Sequence, residues 1–186
     1  MTNLFSDIFG KKINLIKLDS KYLNDMWEYS NDPKMYEHFE FRPPKSILDT
    51  KDYFNRLIER SNGVDAYWWF IQIKKSKRIV GSLGAHDIDI HKKSCEISYG
   101  LSPSFWGKGI FTQALNLVLG RLICEFNFYR ITALTSSNNI RSIKSLKKLG
   151  FKEEGWLRDF YLKYDGNRYN ATLLSLLAKE FQYVDE

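Results

Sequence analysis

From residue 66 to residue 102 the helical period of the preceding residues gives way to strand-like runs. The stretches AYWWFIQIKK (66–75), RIVGSLGAHDIDI (78–90) and SCEISYGLS (94–102) read as strands joined by short polar links. Links that short favour antiparallel neighbours, so these residues predict a three-strand meander. At Pro103 the pattern breaks. Gly107 and Gly109 flank Lys108, and a helical period then governs residues 109–127, where Phe111, Leu115, Val118, Leu122 and Phe126 form one apolar stripe.

The flanking segments complete an order. KINLIKL (12–18) reads as a strand. SKYLNDMWEYSNDP reads as a helix with Ser20 as its N-cap and a stop before Pro33. FEFRPPKS is a loop, held extended by Pro43 and Pro44. DTKDYFNRLIERSNG is a second amphipathic helix that stops at Gly63. YRITALTS (129–136) is a strand. NNIRSIKSLKKLG is a helix capped by Asn138 or Asn139 and closed by Gly150. The remainder to Phe181 is a long hairpin turning at DGN, 165–167. Strand, two helices, three strands, helix, strand, helix and two strands predict an α/β (α+β) fold: a mixed, mostly antiparallel sheet of about seven strands with helices packed on it.

Composition narrows the classes. A chain of 186 residues with 44% apolar and 27% charged residues suits one domain, 1–186, with a core of its own. Cys95 and Cys124 form no CxxC or Cys/His spacing, so no metal site is expected. Both read as buried, reduced thiols of a cytoplasmic protein. No apolar run is long enough to span a bilayer, and the N-terminus does not have the form of a signal peptide. The net charge of +6 suits an anionic ligand, although scattered surface lysines account for it equally well.

The Gly107-Lys108-Gly109 turn has two readings. One is a tight turn. The other is a phosphate cradle, because the first N–H groups of a helix have no intrahelical partner and carry the positive end of its dipole. It is not a Walker loop, since GxxxxGK[ST] is absent. Nor is it a dinucleotide fingerprint, since the third glycine place of GxGxxG holds Thr112.

The stretch EISYGLSPSFWGKGIFTQAL, followed by NNIRSIKSLKKLGFKEEGWLRDFYLKYDGNRYNATLLSL, resembles the GNAT superfamily of acetyl-CoA-dependent N-acetyltransferases. It looks closest to the RimJ/RimL-like branch, which acetylates N-termini of ribosomal proteins. The resemblance covers residues 12–181 and is strongest after Glu96. It implies splayed central strands, helices on both faces and acetyl-CoA as cofactor. The family's Q/R-x-x-G-x-G/A loop falls on Trp106, Gly109 and Phe111, of which Gly109 matches. The implied pyrophosphate cradle is Trp106, Gly107, Lys108, Gly109, Ile110, Phe111 and Thr112. The implied pantetheine strand is Gly100, Leu101 and Ser102, where a glycine within a strand also suggests a bulge or a close approach. Asn139 matches an asparagine that reaches the cofactor, and Ser142 lies one turn on. Many relatives place a tyrosine acid seven residues after that asparagine; here Leu146 stands there, so Ser142, Asn139 or water would stabilise the thiolate.

The reaction needs a base to deprotonate the amine. Glu96 is the first candidate, since alternation turns Glu96, Ser98 and Gly100 to one face. Asp87 and Asp89 come second, and His86 and His91 follow. Tyr36, Glu37 and His38 on one side and Trp156 and Tyr161 on the other are candidate acceptor-binding residues, with Trp68, Trp69 and Phe160 as further aromatics. The expected function is direct transfer of acetyl to a primary amine in a ternary complex, with a protein N-terminus as acceptor. The alternatives are an amino sugar (nucleotide-linked), a polyamine or a small amine. Outside that class stand a non-catalytic CoA-binding protein and a nucleic-acid-binding protein. The expected partner is a small-molecule or peptide amine, not nucleic acid and not membrane, with a homodimer left open.

Overall fold

The computed structural model describes residues 6–183. Eight strands form one sheet: β1 Ile8–Phe9, β2 Ile13–Lys17, β3 Ala66–Ile73, β4 Ile79–Asp89, β5 Ser94–Leu101, β6 Arg130–Ser136, β7 Lys152–Leu162 and β8 Arg168–Leu177. Their spatial order is β1-β2-β3-β4-β5-β6-β8-β7. Every pair is antiparallel except β5–β6. The predicted meander is β3-β4-β5, and the predicted final hairpin is β7-β8. The strand beyond the expected seven is β1, two residues long and too short to show a period.

Four α-helices cover the sheet: α1 Leu23–Ser30, α2 Ile47–Ser61, α3 Ile110–Leu119 and α4 Ile140–Lys148. Alternation along β3 explains how both faces are covered. Trp69 and Ile71 enter one core with Leu115, Val118 and Leu119 of α3 and Leu146 of α4. Trp68 and Phe70 enter the other with Met26 and Tyr29 of α1 and Phe54 and Leu57 of α2. A strand buried on both sides must be apolar throughout, which is why AYWWFIQI lacks polar alternation. It also removes Trp68 and Trp69 from the acceptor-lining candidates, since both are core residues.

Some boundaries move. The helix expected over 109–127 is α-helical only to Leu119 and continues as a π-helical turn, Gly120–Glu125. Ser20 does not cap α1: Asp19 caps a preceding 3-10 turn, Ser20–Tyr22, accepting from the Lys21 N–H. Ser46 begins α2 through a capping box with Asp49. Cys95 is buried, and burial pushes its thiol up to about 12, but Cys124 is exposed on the π-helical turn. Among the described residues no helix is long and apolar enough to cross a membrane, and no cluster of His, Cys, Asp and Glu could hold a metal.

Candidate active site

The one parallel pair is short. Ser94, Cys95 and Glu96 of β5 pair with Arg130, Ile131 and Thr132 of β6. Beyond these rungs, residues 97–101 stay with β4 and 133–136 stay with β8. The two strands therefore splay apart after Glu96. Antiparallel pairing turns alternate residues of β5 toward β4. The Ser102 N–H bonds Val80 O at 2.8 Å, and Gly100 stands opposite Ser82 in the same phase. The intervening residues Ile97, Tyr99 and Leu101 thus turn their backbone polar groups into the splay.

This parity separates the three residues that the family resemblance grouped together on this strand. Of Gly100, Leu101 and Ser102, Leu101 alone has its backbone toward the gap. Its carbonyl already accepts from the Trp106 indole N–H at 2.8 Å. No bulge occurs at Gly100 either; the irregularity of the β4–β5 pair lies between His86 and Asp89. The close approach is real, because a Cβ on Gly100 would stand 2.4 Å from Met35 Cε.

At the open end of the splay, a 3-10 turn, Pro103–Phe105, leads through Gly107 and Gly109 into α3. Gly107 has φ +72 and Gly109 φ +76, a left-handed backbone that disfavours any side chain. A Cβ at either would meet nothing within 4 Å. The glycines therefore serve the turn, and no other part of the chain crowds the places where their side chains would stand. Trp106 braces this loop: its ring also lies 3.6 Å from the Arg141 guanidinium of α4. Lys108 extends past the Phe105 ring at 5.3 Å.

Asn139 caps α4, its Oδ1 accepting from the Ser142 N–H at 3.1 Å. Ser142 is buried, and its hydroxyl lies 2.6 Å from the Tyr99 phenol. Tyr99 packs on Phe111 of α3, ring centres 4.1 Å apart, and burial pushes its phenol up to about 12. Leu146 is fully buried in the core, so the aliphatic residue fills its place by packing. A phenol is nonetheless present, supplied from β5. Sequence spacing gave no hint of it, because Tyr99 and Ser142 meet only through the tertiary fold.

Glu96, at the last rung before the splay, faces His86 across the β4–β5 pair. Burial raises its carboxyl, His86 opposes that shift and Asp87 adds to it. His86 stacks on Trp68 and holds Asp87 at 2.9 Å. Asp89 instead caps the turn through the Lys92 N–H at 2.8 Å, and His91 is exposed there. Tyr161 approaches from β7. Burial raises its phenol, and the carboxylates of Glu96 and Glu40 and the Tyr99 phenol add to the shift. An irregularity between Leu157 and Tyr161, with Asp159 at φ +52, re-aims this end of β7.

The two expected acceptor walls do meet. Leu162 N–H donates to Glu40 at 3.0 Å, and Lys163 bonds Glu37 O. His38 lies beside Glu37, and burial lowers its imidazole, a shift that Glu37 opposes and Lys163 and Arg141 reinforce. Tyr36 is buried and lines a cavity of about 510 Å³ between α1, α2 and residues 41–45, with Arg42, Lys45 and Arg56 around it. Trp156 stands 70% exposed on β7, its indole N–H directed to Glu153, and Phe160 is 46% exposed. Trp156 thus stands in solvent, while the Phe160 ring meets the Tyr161 ring edge-on, ring centres 5.1 Å apart.

Residues 12–152 match the Acetyltransferase (GNAT) domain family. The chain belongs to the GNAT acetyltransferase family. Among relatives of this GNAT protein, the uncharacterized N-acetyltransferase p20 of Bacillus licheniformis is 27% identical over 174 residues, covering 94% of this chain and 97% of p20. YdaF of Bacillus subtilis (strain 168), named as a candidate ribosomal N-acetyltransferase, is 29% identical over 104 residues, covering 56% of each. The crystal structure of the microcin C7 self immunity acetyltransferase MccE in complex with acetyl-CoA and AMP superposes with a TM-score of 0.81 at 23% identity. It covers 90% of this chain and 93% of that one. The fold is thus the GNAT fold, with the family's acetyl-transfer activity.

Proposed function

We propose that this GNAT protein moves an acetyl group from acetyl-CoA directly to a primary amine. The observation that carries the reading is the Tyr99–Ser142 hydrogen bond beside the splayed edge of β5, with Glu96 at the vertex. The residues fit the cofactor: an unpaired strand edge suits an amide-bearing chain, and the open turn at Gly107 and Gly109 suits its phosphates. Bound acetyl-CoA supplies the acetyl group as a thioester. Leu101, Tyr99 and Ile97 would hold its pantetheine through their gap-facing backbone, and residues 107–112 its pyrophosphate.

Glu96 takes the proton from the acceptor amine, directly or through water. A half-buried carboxyl raised above its ordinary range is a better base than an exposed one. The Tyr99–Ser142 pair would donate one proton toward the departing sulfur, and solvent would return a proton to the pair as Glu96 releases the one taken from the amine. The Asn139 cap holds the Ser142 backbone in place.

Two acceptors remain in play. The name of YdaF supports a protein N-terminus, in keeping with the RimJ/RimL-like resemblance. The Arg42, Lys45 and Arg56 rim supports an anionic small amine, such as a nucleotide-linked amino sugar, and weighs against a polyamine. Thiol release from acetyl-CoA, measured against ribosomal-protein N-terminal peptides, amino-sugar nucleotides and polyamines, tests the reading. Release with one class supports the enzyme and names its acceptor. No release with any class, while CoA still raises Tm, would reduce the protein to a CoA binder.

A further inference from the structure

A proton taken up by Glu96 must leave it again before the next turnover. Glu96 stands directly across from His86 in the β4–β5 register. Directly opposed residues share a face of the sheet, with Cβ atoms about 4.5–5.5 Å apart, so these two side chains are neighbours. Both turn to the α1–α2 side, as Trp68 does through its own register with Gly84, two residues before His86.

The His86 ring is held from two directions. Its Nδ1 lies 2.9 Å from Asp87 Oδ2. A carboxylate only accepts, so Nδ1 carries the hydrogen and the neutral ring keeps its lone pair on Nε2. Asp87 reaches back to its neighbour because the strand is irregular there: its φ is +50, and the β4–β5 register shifts between His86 and Asp89. A left-handed backbone is disfavoured for a residue with a side chain, and such strain gathers at functional sites. On the other side, the ring lies nearly parallel to the Trp68 indole, 8° off, with centres 6.0 Å apart. Gly84 makes room for that indole, since a Cβ there would stand 2.1 Å from Trp68 Nε1. Exposure rises along the chain of groups. Glu96 is half-buried, the His86 side chain is 13% exposed and the Asp87 side chain is 77% exposed. Around them stand Arg60 of α2, its guanidinium 4.6 Å over the Trp68 ring, and Tyr161 of β7, whose phenol feels the Glu96 carboxylate.

We propose that His86, oriented by Asp87, is the proton outlet of Glu96. The O–H bond on the Glu96 carboxyl breaks as an N–H bond forms at His86 Nε2, directly or across one water. The imidazolium, paired with Asp87, then gives a proton to solvent, and both groups return to their starting state. An acceptor bound over Glu96 would close its own path to water and leave the path through His86. This role rests on the transferase reading above.

Two measurements on the full chain test the outlet. The first needs no substrate and follows the Glu96 side-chain carboxyl by 13C NMR through a pH titration. His86 draws that titration down and Asp87 pushes it up, so His86→Gln should move it to higher pH and Asp87→Asn to lower pH. A titration that neither variant moves would overturn the contact, and the proposal with it. The second is thiol release with acetyl-CoA and an amine that the parent chain accepts. His86→Gln keeps polar atoms in place but cannot carry the proton onward. It should lower kcat about tenfold with both KM values unchanged, and imidazole added to the buffer should restore the rate. Asp87→Asn, which suits a left-handed backbone, should lower kcat by less. An unchanged kcat in His86→Gln, or a loss that imidazole does not restore, would overturn the outlet. Thiol release that fails with every amine in the parent chain, while both NMR shifts occur, would instead sink the transferase reading and leave a linked pair with no proton to pass on.

Discussion

The Tyr99 phenol and the Ser142 hydroxyl stand 2.6 Å apart, one on β5 and the other on α4, beside the strand edge that has lost its neighbour. Either oxygen can donate. Ser142→Ala should therefore lower kcat by about 100-fold with little change in KM for acetyl-CoA, within the usual span for a general acid. Tyr99→Phe should cost about tenfold by the same measure, since water can return the proton more slowly. The double variant should be no slower than Ser142→Ala alone, because the two act as one unit. Steady-state thiol release reads all three; multiplicative losses would separate the two residues.

Glu96 has a carboxyl raised by burial, so its proton is held more tightly in the folded chain. The kcat/KM profile should rise with pH on a limb above the ordinary glutamate range, and Glu96→Gln should lose that limb. The stability sign follows from the same shift. A raised carboxyl favours the folded state below its unfolded pKa, and that contribution is lost as pH rises through the folded value. Glu96→Gln should thus melt higher than the parent at pH 8, with the difference disappearing below about pH 4. A melting curve that crosses the other way would mean Glu96 is stabilised as an anion.

Gly109 has φ +76, and a Cβ placed there would have nothing within 4 Å. Gly109→Ala should therefore cost backbone strain alone, about 1–2 kcal/mol, or roughly 2–8 °C in Tm for a chain of this size. The new methyl would also stand in the open space before α3. Affinity for CoA should fall about tenfold, the worth of one hydrogen bond to a charged group. Unchanged CoA affinity in a destabilised variant would reduce the glycine to a turn residue.

Trp106 joins the two halves of the loop by donating to Leu101 O at 2.8 Å while its ring supports Arg141. Trp106→Phe keeps an aromatic ring and removes the donor. It should raise KM for acetyl-CoA and leave kcat near the parental value, since the change loosens the cradle and touches no reacting atom. A fall in kcat at constant KM would contradict a positioning role.

The sequence revealed those features that depend on local period or local chirality. The meander, the DGN hairpin, the Asn139 cap and the Gly107–Gly109 turn each rest on residues close in the chain. The family resemblance added the implied splay and the cofactor. What remained hidden depends on distant meetings. Tyr99 finds Ser142 across 43 positions, and no spacing rule connects a strand to a later helix. Tyr161 is turned inward by an irregularity in β7 that leaves Trp156 in solvent, a difference invisible in their shared aromatic character. Gly100 and Leu101 look interchangeable as candidates, yet strand parity gives them opposite backbone directions. The cavity beside Thr50 needs α1, α2 and the Pro43–Pro44 loop together before it exists.

Three rungs, Ser94 to Glu96 against Arg130 to Thr132, and the Lys93 carbonyl that accepts from the Tyr129 and Arg130 N–H groups pair two half-sheets, one made before α3 and the other after it. Most neighbours within each half are close in sequence, so their loops close cheaply. The seam must wait for both halves and for the helical segment between them. Assembly of this chain should therefore end at this seam, and thermal opening should start there too. A ligand bound across the seam would act as a clasp, slowing unfolding more than it speeds folding.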